Sequence, residues 1–205
     1  MSLLRRLPTL RPDPPPALHA RASDDLRFIR ATMERAAAFT AVPGWGGVLI
    51  GLIALFTAPL AAGAPSRLAW LLTWICAAVL AGLVGATDMA NKLRAGGSSL
   101  LRGPASRFAA ALMPPIAAGA LLTLGLARAG LFDLLPGVWL SCYGAGVVSA
   151  GALSVRSLRV MGMCFMLFGA SALLSPASWG DAWMAGGFGG LHVAFGIWIA
   201  RHHDG

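Results

Sequence analysis

The sequence predicts an all-α fold: a polytopic membrane protein, a six-transmembrane-helix bundle preceded by an N-terminal amphipathic juxtamembrane helix. Two observations predict it. Apolar residues make up 57% of the chain and charged residues only 12%, too few charges to cover a soluble surface. Those charges also leave long gaps: residues 36–66 contain none, nor do 68–87, 108–127, 134–155, 160–180 or 182–200. About 20 helical residues cross the roughly 30 Å hydrocarbon layer. Backbone amides in lipid must find partners within their own segment, which makes spanning helices the economical solution. The runs are apolar on every side, so the alternating strands of a membrane β-barrel are excluded.

Taken in order, residues 1–22 carry Pro8, Pro12, Pro14, Pro15 and Pro16, which forbid a regular helix. No apolar stretch of signal-peptide length follows Arg5 and Arg6, so a mobile cytoplasmic tail is expected. Ser23 offers a helix cap, with Asp24 and Asp25 in the first turn. Leu26, Ile29, Met33 and Ala37 then recur at helical spacing, while Arg27, Arg30, Glu34 and Arg35 take other faces. This predicts an amphipathic helix over 23–40. It would lie on the inner membrane surface with its arginines near anionic lipids, or dock a cytosolic protein.

The transmembrane domain, 41–201, is expected to hold spans near 43–62, 68–90, 107–128, 134–155, 159–177 and 181–200, followed by a cytoplasmic tail at 202–205. Gly47 and Gly51 in the first span, and Gly189 and Gly196 in the last, are the small residues that let helices approach closely. A kink is expected near Pro59. The Gly96-Gly97-Ser98-Ser99 loop is flexible by composition. Pro114 and Pro115 are expected to interrupt the third span. Asp133 and Asp181 are expected to cap the fourth and sixth.

Positive charge fixes the orientation. Of the 16 lysines and arginines, all but Arg67 and Arg128 fall on one side of the predicted bundle, which sets both termini in the cytoplasm of a bacterial-type plasma membrane. Tryptophans agree: Trp70, Trp74, Trp139, Trp179 and Trp183 gather at the predicted outer boundary, Trp45 and Trp198 at the inner one. The net charge of +8 is therefore an orientation signal. Nucleic acid is not an expected partner.

The stretches from Leu26 to Arg35, from Phe39 to Gly47, from Met161 to Met166 and from Gly189 to His192 resemble small, uncharacterised six-span bacterial integral membrane proteins; that likeness implies no activity. The segments Gly51-x2-Ala54-Leu55-x3-Pro59 and Gly169-x2-Ala172-Leu173-x2-Pro176 are similar to parts of the HdeD-like acid-resistance membrane proteins, which have six spans and a similar length. The long Pro-rich tail and the arginine-rich first helix depart from that family, and its acid-stress role is not carried over.

Four polar residues form a candidate intramembrane site: His192, Tyr143, Ser141 and Asp88. An ionisable ring in mid-span is costly and invites a function such as proton relay or cation binding. The structural alternative is a neutral imidazole joining helices through Ser141, Tyr143, Thr73 or a carbonyl. Asp88 is either a coupling carboxylate or a boundary residue paired with Lys92. Met161, Met163, Cys164 and Met166 spread around more than one helix face, so core packing is favoured over a soft-metal site. Cys76, Cys142 and Cys164 lie inside spans and contain no CxxC, so no metal, cofactor or disulfide is expected. No catalytic motif occurs, and no enzyme is expected. The expected function is binding or transport of a small molecule or ion, as a membrane subunit or alone. The alternative is a regulatory or scaffold protein recruiting a cytosolic partner through residues 23–40 and the 92–107 loop; a homo-oligomer is a further possible assembly.

Overall fold

The computed structural model describes Leu26, Ile29 and residues 44–95 and 104–202. The chain divides into two compact units, Met1–Ala37 and Ala38–Gly205. In the first, the two described positions are helical and exposed. The Pro-rich tail, the rest of the amphipathic segment, the glycine–serine loop and residues 203–205 lie outside the described residues.

The second unit holds six helices long and apolar enough to cross a membrane. These are α1 (Gly44–Ala62), α2 (Arg67–Ala95), α3 (Pro104–Arg128), α4 (Leu135–Gly151, after a 3-10 turn at Phe132–Leu134), α5 (Arg156–Leu174) and α6 (Ala177–His202). Among the described residues there is no strand. Their ends have local causes. Ser66 Oγ accepts the Ala69 amide at 3.1 Å and starts α2. Gly130, at φ 74°, stops α3, with Leu131 N–H donating to the Leu126 carbonyl and Gly130 N–H to that of Ala127. This paired C-terminal motif needs a left-handed residue, which glycine supplies without strain.

Several boundaries differ from the sequence expectation. α2 runs to Ala95, past Asp88 and Lys92, because a helix need not stop where its apolar run stops. The turn between α4 and α5 falls at residues 152–155, before Arg156. α3 is not interrupted: one helix runs through Pro114 and Pro115 from Pro104 to Arg128. The proline pair removes two amide donors from its ladder without ending it, a loss that membrane helices tolerate when neighbours compensate. α1 runs through Pro59 and ends at Ala62, where the sequence predicts its end.

Backbones meet most closely at two crossings, both antiparallel; α3 and α4 also approach, with a Cβ on Gly146 standing 3.0 Å from the Leu112 carbonyl oxygen. Between α4 and α5, a Cβ on Gly144 would stand 2.7 Å from the Gly162 carbonyl oxygen, and one on Gly169 would stand 2.9 Å from that of Gly137. Between α1 and α6, a Cβ on Gly51 would stand 2.7 Å from the Gly189 carbonyl and one on Gly196 would stand 2.8 Å from that of Gly44. On each helix these glycines are seven residues apart, a spacing that keeps one face toward an antiparallel neighbour. Such close approach brings many atoms into dispersion contact across each crossing. α2 and α3 pack outside these pairs. Leu68, Leu72, Val79 and Leu83 of α2, and Leu121 and Leu124 of α3, remain exposed.

Candidate functional site

α6 changes its winding in the middle. Gly180–Met184 is α-helical, Ala185–Leu191 is π-helical, and His192–His202 is α-helical again. The π segment, Ala-Gly-Gly-Phe-Gly-Gly-Leu, has little side chain to resist the wider turn. At its end the His192 amide donates to the Gly189 carbonyl, three residues back. The Phe188 carbonyl, its partner in an uninterrupted α-helix, instead lies 2.9 Å from His192 Nδ1. A carbonyl only accepts, so Nδ1 carries the proton. In the neutral ring Nε2 then accepts, and the Tyr143 hydroxyl donates to it at 2.8 Å.

Three rings box the imidazole. Phe165 of α5 meets it edge-on at 5.2 Å, Phe188 stacks at 6.3 Å, and Tyr143 of α4 tilts over it at 5.3 Å. His192 is only 4% exposed. Both ring nitrogens are engaged, and the rings leave it joining α4, α5 and α6.

The structure thus brings His192 and Tyr143 together. Ser141 and Asp88 make none of this cluster's bonds or ring contacts: Ser141 Oγ occupies the space a Cβ on Gly169 would need, and Asp88 is half-buried on α2. The expected packing glycines face each other, Gly47 against Gly196 and Gly51 against Gly189. Among the described residues no three His, Cys, Asp or Glu side chains are grouped to hold a metal ion.

A second polar centre lies at the end of the bundle where α1 gives way to α2, here the distal end. Asp181 does not cap α6, as the sequence suggested. The N-cap residue is Trp179, without a side-chain bond, and Asp181 sits in the first turn. Its Oδ1 accepts two indole N–H groups of α2, from Trp70 at 2.8 Å and Trp74 at 3.0 Å. Trp70 stacks on Trp139 of α4 at 5.6 Å, and Trp139 Nε1 donates to Thr123 of α3 at 2.7 Å. One aspartate and three indoles therefore tie α6, α2, α4 and α3 together. Asp133 does not cap α4 either. It lies in the 3-10 turn, its Oδ2 3.6 Å from Arg67 Nη2. Residue type alone puts Trp70 and Trp74 at the boundary; their spacing of four, on one helix face, is the signal for a shared partner.

Beside this centre lies a cavity of about 240 Å³, lined by Ala61, Ala62, Arg67, Trp70, Asp133 and Asp181 among others. It is the meeting place of the α1 C-terminus with the first turns of α2, α4 and α6. Its walls are small alanines, two carboxylates, a guanidinium and an indole, which present charge and hydrogen-bonding groups. No protein-family model, curated protein or solved structure matches the chain.

Proposed function

We propose that the chain is a multi-pass protein of a bacterial-type plasma membrane that binds a small molecule at its outward end without conducting it across. The distal cavity carries this reading: it gathers charged groups from α2, the turn before α4 and α6 on a tied aromatic frame. The closed state of the interior supports the second half. Backbone meets backbone at both crossings, and the one histidine in mid-span is spent on Tyr143 and Phe188. In this reading His192 is a clasp between helices, the structural role open to a buried neutral imidazole. The arginine distribution supports an orientation with both termini in the cytoplasm and the distal end outside.

The test uses the protein in lipid nanodiscs. Small polar solutes are screened for a rise in melting temperature, and hits are repeated on Ala62→Trp, which fills the cavity from an exposed position. A solute that stabilises the parent and not the variant is the expected result. Equal stabilisation of both, or of neither, overturns the reading. A reporter fused after Gly205 that is active only outside the cell overturns the orientation.

The close helix crossings also suit a second reading, a regulatory or scaffold protein that recruits a cytosolic partner through residues 23–40 and the 92–107 loop. Deleting residues 1–40 then strips that partner from a membrane pull-down; unchanged recovery counts against it.

A further inference from the structure

Resting on the binding role proposed for the distal cavity, we propose that its ligand is an organic ammonium ion, held by the carboxylate of Asp181. The charges decide the sign. Among the described residues three charged side chains line the cavity: Arg67, Asp133 and Asp181. Arg67 is committed, with Nη1 donating to the Gly130 carbonyl at 3.0 Å, Nη2 facing Asp133 at 3.6 Å and its guanidinium over the Phe132 ring at 5.9 Å. Arg67 and Asp133 therefore answer each other.

Asp181 has no such answer. Its two hydrogen-bond donors are indoles, which are neutral, and both go to Oδ1. Among the described residues no cation pairs with this carboxylate, and Oδ2 accepts no hydrogen bond. Two neutral donors on Oδ1 leave the carboxylate without a counter-charge and its other oxygen without a donor at the cavity wall. A ligand ammonium supplies both the missing charge and the missing donor.

The features that would favour an anion are weakened. Ser66 Oγ already takes an amide at the start of α2, and Pro136 removes another in the first turn of α4. Arg67, the one lining cation, faces Asp133. Size separates an organic ion from a bare metal ion: about 240 Å³ is far more than one inorganic cation fills, and the alanines Ala61, Ala62 and Ala64 give apolar wall for a hydrocarbon body.

The experiment compares molecules of one shape and three charges: 3,3-dimethylbutylamine, 3,3-dimethylbutan-1-ol and 3,3-dimethylbutanoate. Binding to the full chain in nanodiscs is followed by calorimetry and thermal shift at neutral pH. The amine should bind at least about tenfold tighter than the alcohol, since charged hydrogen bonds discriminate by that much, and the carboxylate should not compete. Asp181→Asn keeps an acceptor for the two indoles, so the helix ties survive while the charge is lost. It should abolish the amine's advantage and leave the variant's own melting temperature close to the parent's. Should Asn at this position unfold the chain, raised salt on the parent protein replaces it: the amine's advantage should shrink and the alcohol's binding should not. An amine no better than the alcohol, or an advantage that outlives Asp181→Asn, overturns the ammonium assignment. If none of the three binds while another solute stabilises the parent and not Ala62→Trp, the ammonium assignment falls and the cavity's binding role stands.

Discussion

The inner helices and the outer helices of this bundle obey different rules of composition. α4 and α5 meet through Gly137, Gly144, Gly162 and Gly169, where a single added methyl group has no room. α2 also carries glycines, yet a Cβ on Gly82 would meet nothing within 4 Å, and the same holds for Gly125 of α3. The same residue type is a requirement in one place and incidental in the other. Glycine in an apolar helix therefore means little until its face is known. What distinguishes the two sets is recurrence every seventh residue on both partners, opposed to one another. The outer helices pack somewhat less tightly, a Cβ on Gly146 standing 3.0 Å from the Leu112 carbonyl of α3, and add a few polar ties: Asp181 to Trp70 and Trp74, and Trp139 to Thr123.

The largest effect should come from forcing the inner crossing apart. Gly144→Val places a branched side chain where the Gly162 carbonyl and the Met166 amide stand 2.7 and 2.8 Å from the first carbon. Both obstacles are backbone, so α4 or α5 must move, at a cost of about 3 kcal/mol or more. A loss of folded protein in detergent, or an unfolding midpoint in SDS shifted by that amount, is expected. A variant as stable as the parent would dissolve the contrast between inner and outer helices.

Next comes the clasp. Tyr143→Phe keeps the ring contacts with Phe165 and Phe188, at 4.8 and 5.3 Å, and removes only the donor to His192 Nε2. An unsatisfied acceptor in a 4% exposed ring should cost about 1–2 kcal/mol. The double variant Tyr143→Phe with His192→Leu should be less destabilised than the sum of the two singles, since no polar atom is then left without a partner. Strict additivity would show that the 2.8 Å contact contributes nothing. Thr123→Val should cost less, about 1 kcal/mol, by taking the acceptor from the Trp139 indole near the bundle's end. If the loss matches that of Gly144→Val, the outer ties are as demanding as the inner packing.

The sequence discloses these two regions unequally. The six apolar helices are legible because their lengths are bounded by charges such as Arg67, Arg128 and Arg156, and hydropathy needs no knowledge of neighbours. Helix pairing is only half legible. Gly47 and Gly51 stand out through their four-residue spacing, whereas Gly137, Gly144 and Gly151 are too far apart to catch the eye without the facing Gly162 and Gly169. The π segment is invisible to composition, because a shift in hydrogen-bond register changes no residue; the two glycine doublets at 186–187 and 189–190 are its only trace. His192 was visible as an ionisable residue in an apolar run, but its partner was one of several hydroxyls, and only the packing of α4 against α6 selects Tyr143 over Ser141 or Thr73. The role of Asp181 is hidden because aspartate opening a helix suggests a cap, while the two indoles that engage it lie more than a hundred residues earlier.

The smallest effect is also the sharpest separator of the two regions, because its sign should reverse. Gly82→Ala adds a methyl group to an exposed position of α2 with open space around it. Nothing has to move, and alanine has less backbone freedom to lose on entering a helix, so a gain of about 0.5–1 kcal/mol is expected in a solvated helix and somewhat less in lipid, where the unfolded reference is itself helical. Gly144→Ala, the identical chemical change, should lose stability. Measured together by SDS unfolding, the pair cancels the intrinsic preference of alanine over glycine and leaves only the neighbourhood. If Gly82→Ala also destabilises, the face of α2 around Gly82 is covered by something outside the described bundle, a second copy or an ordered lipid, and α2 would have to be counted with the inner helices.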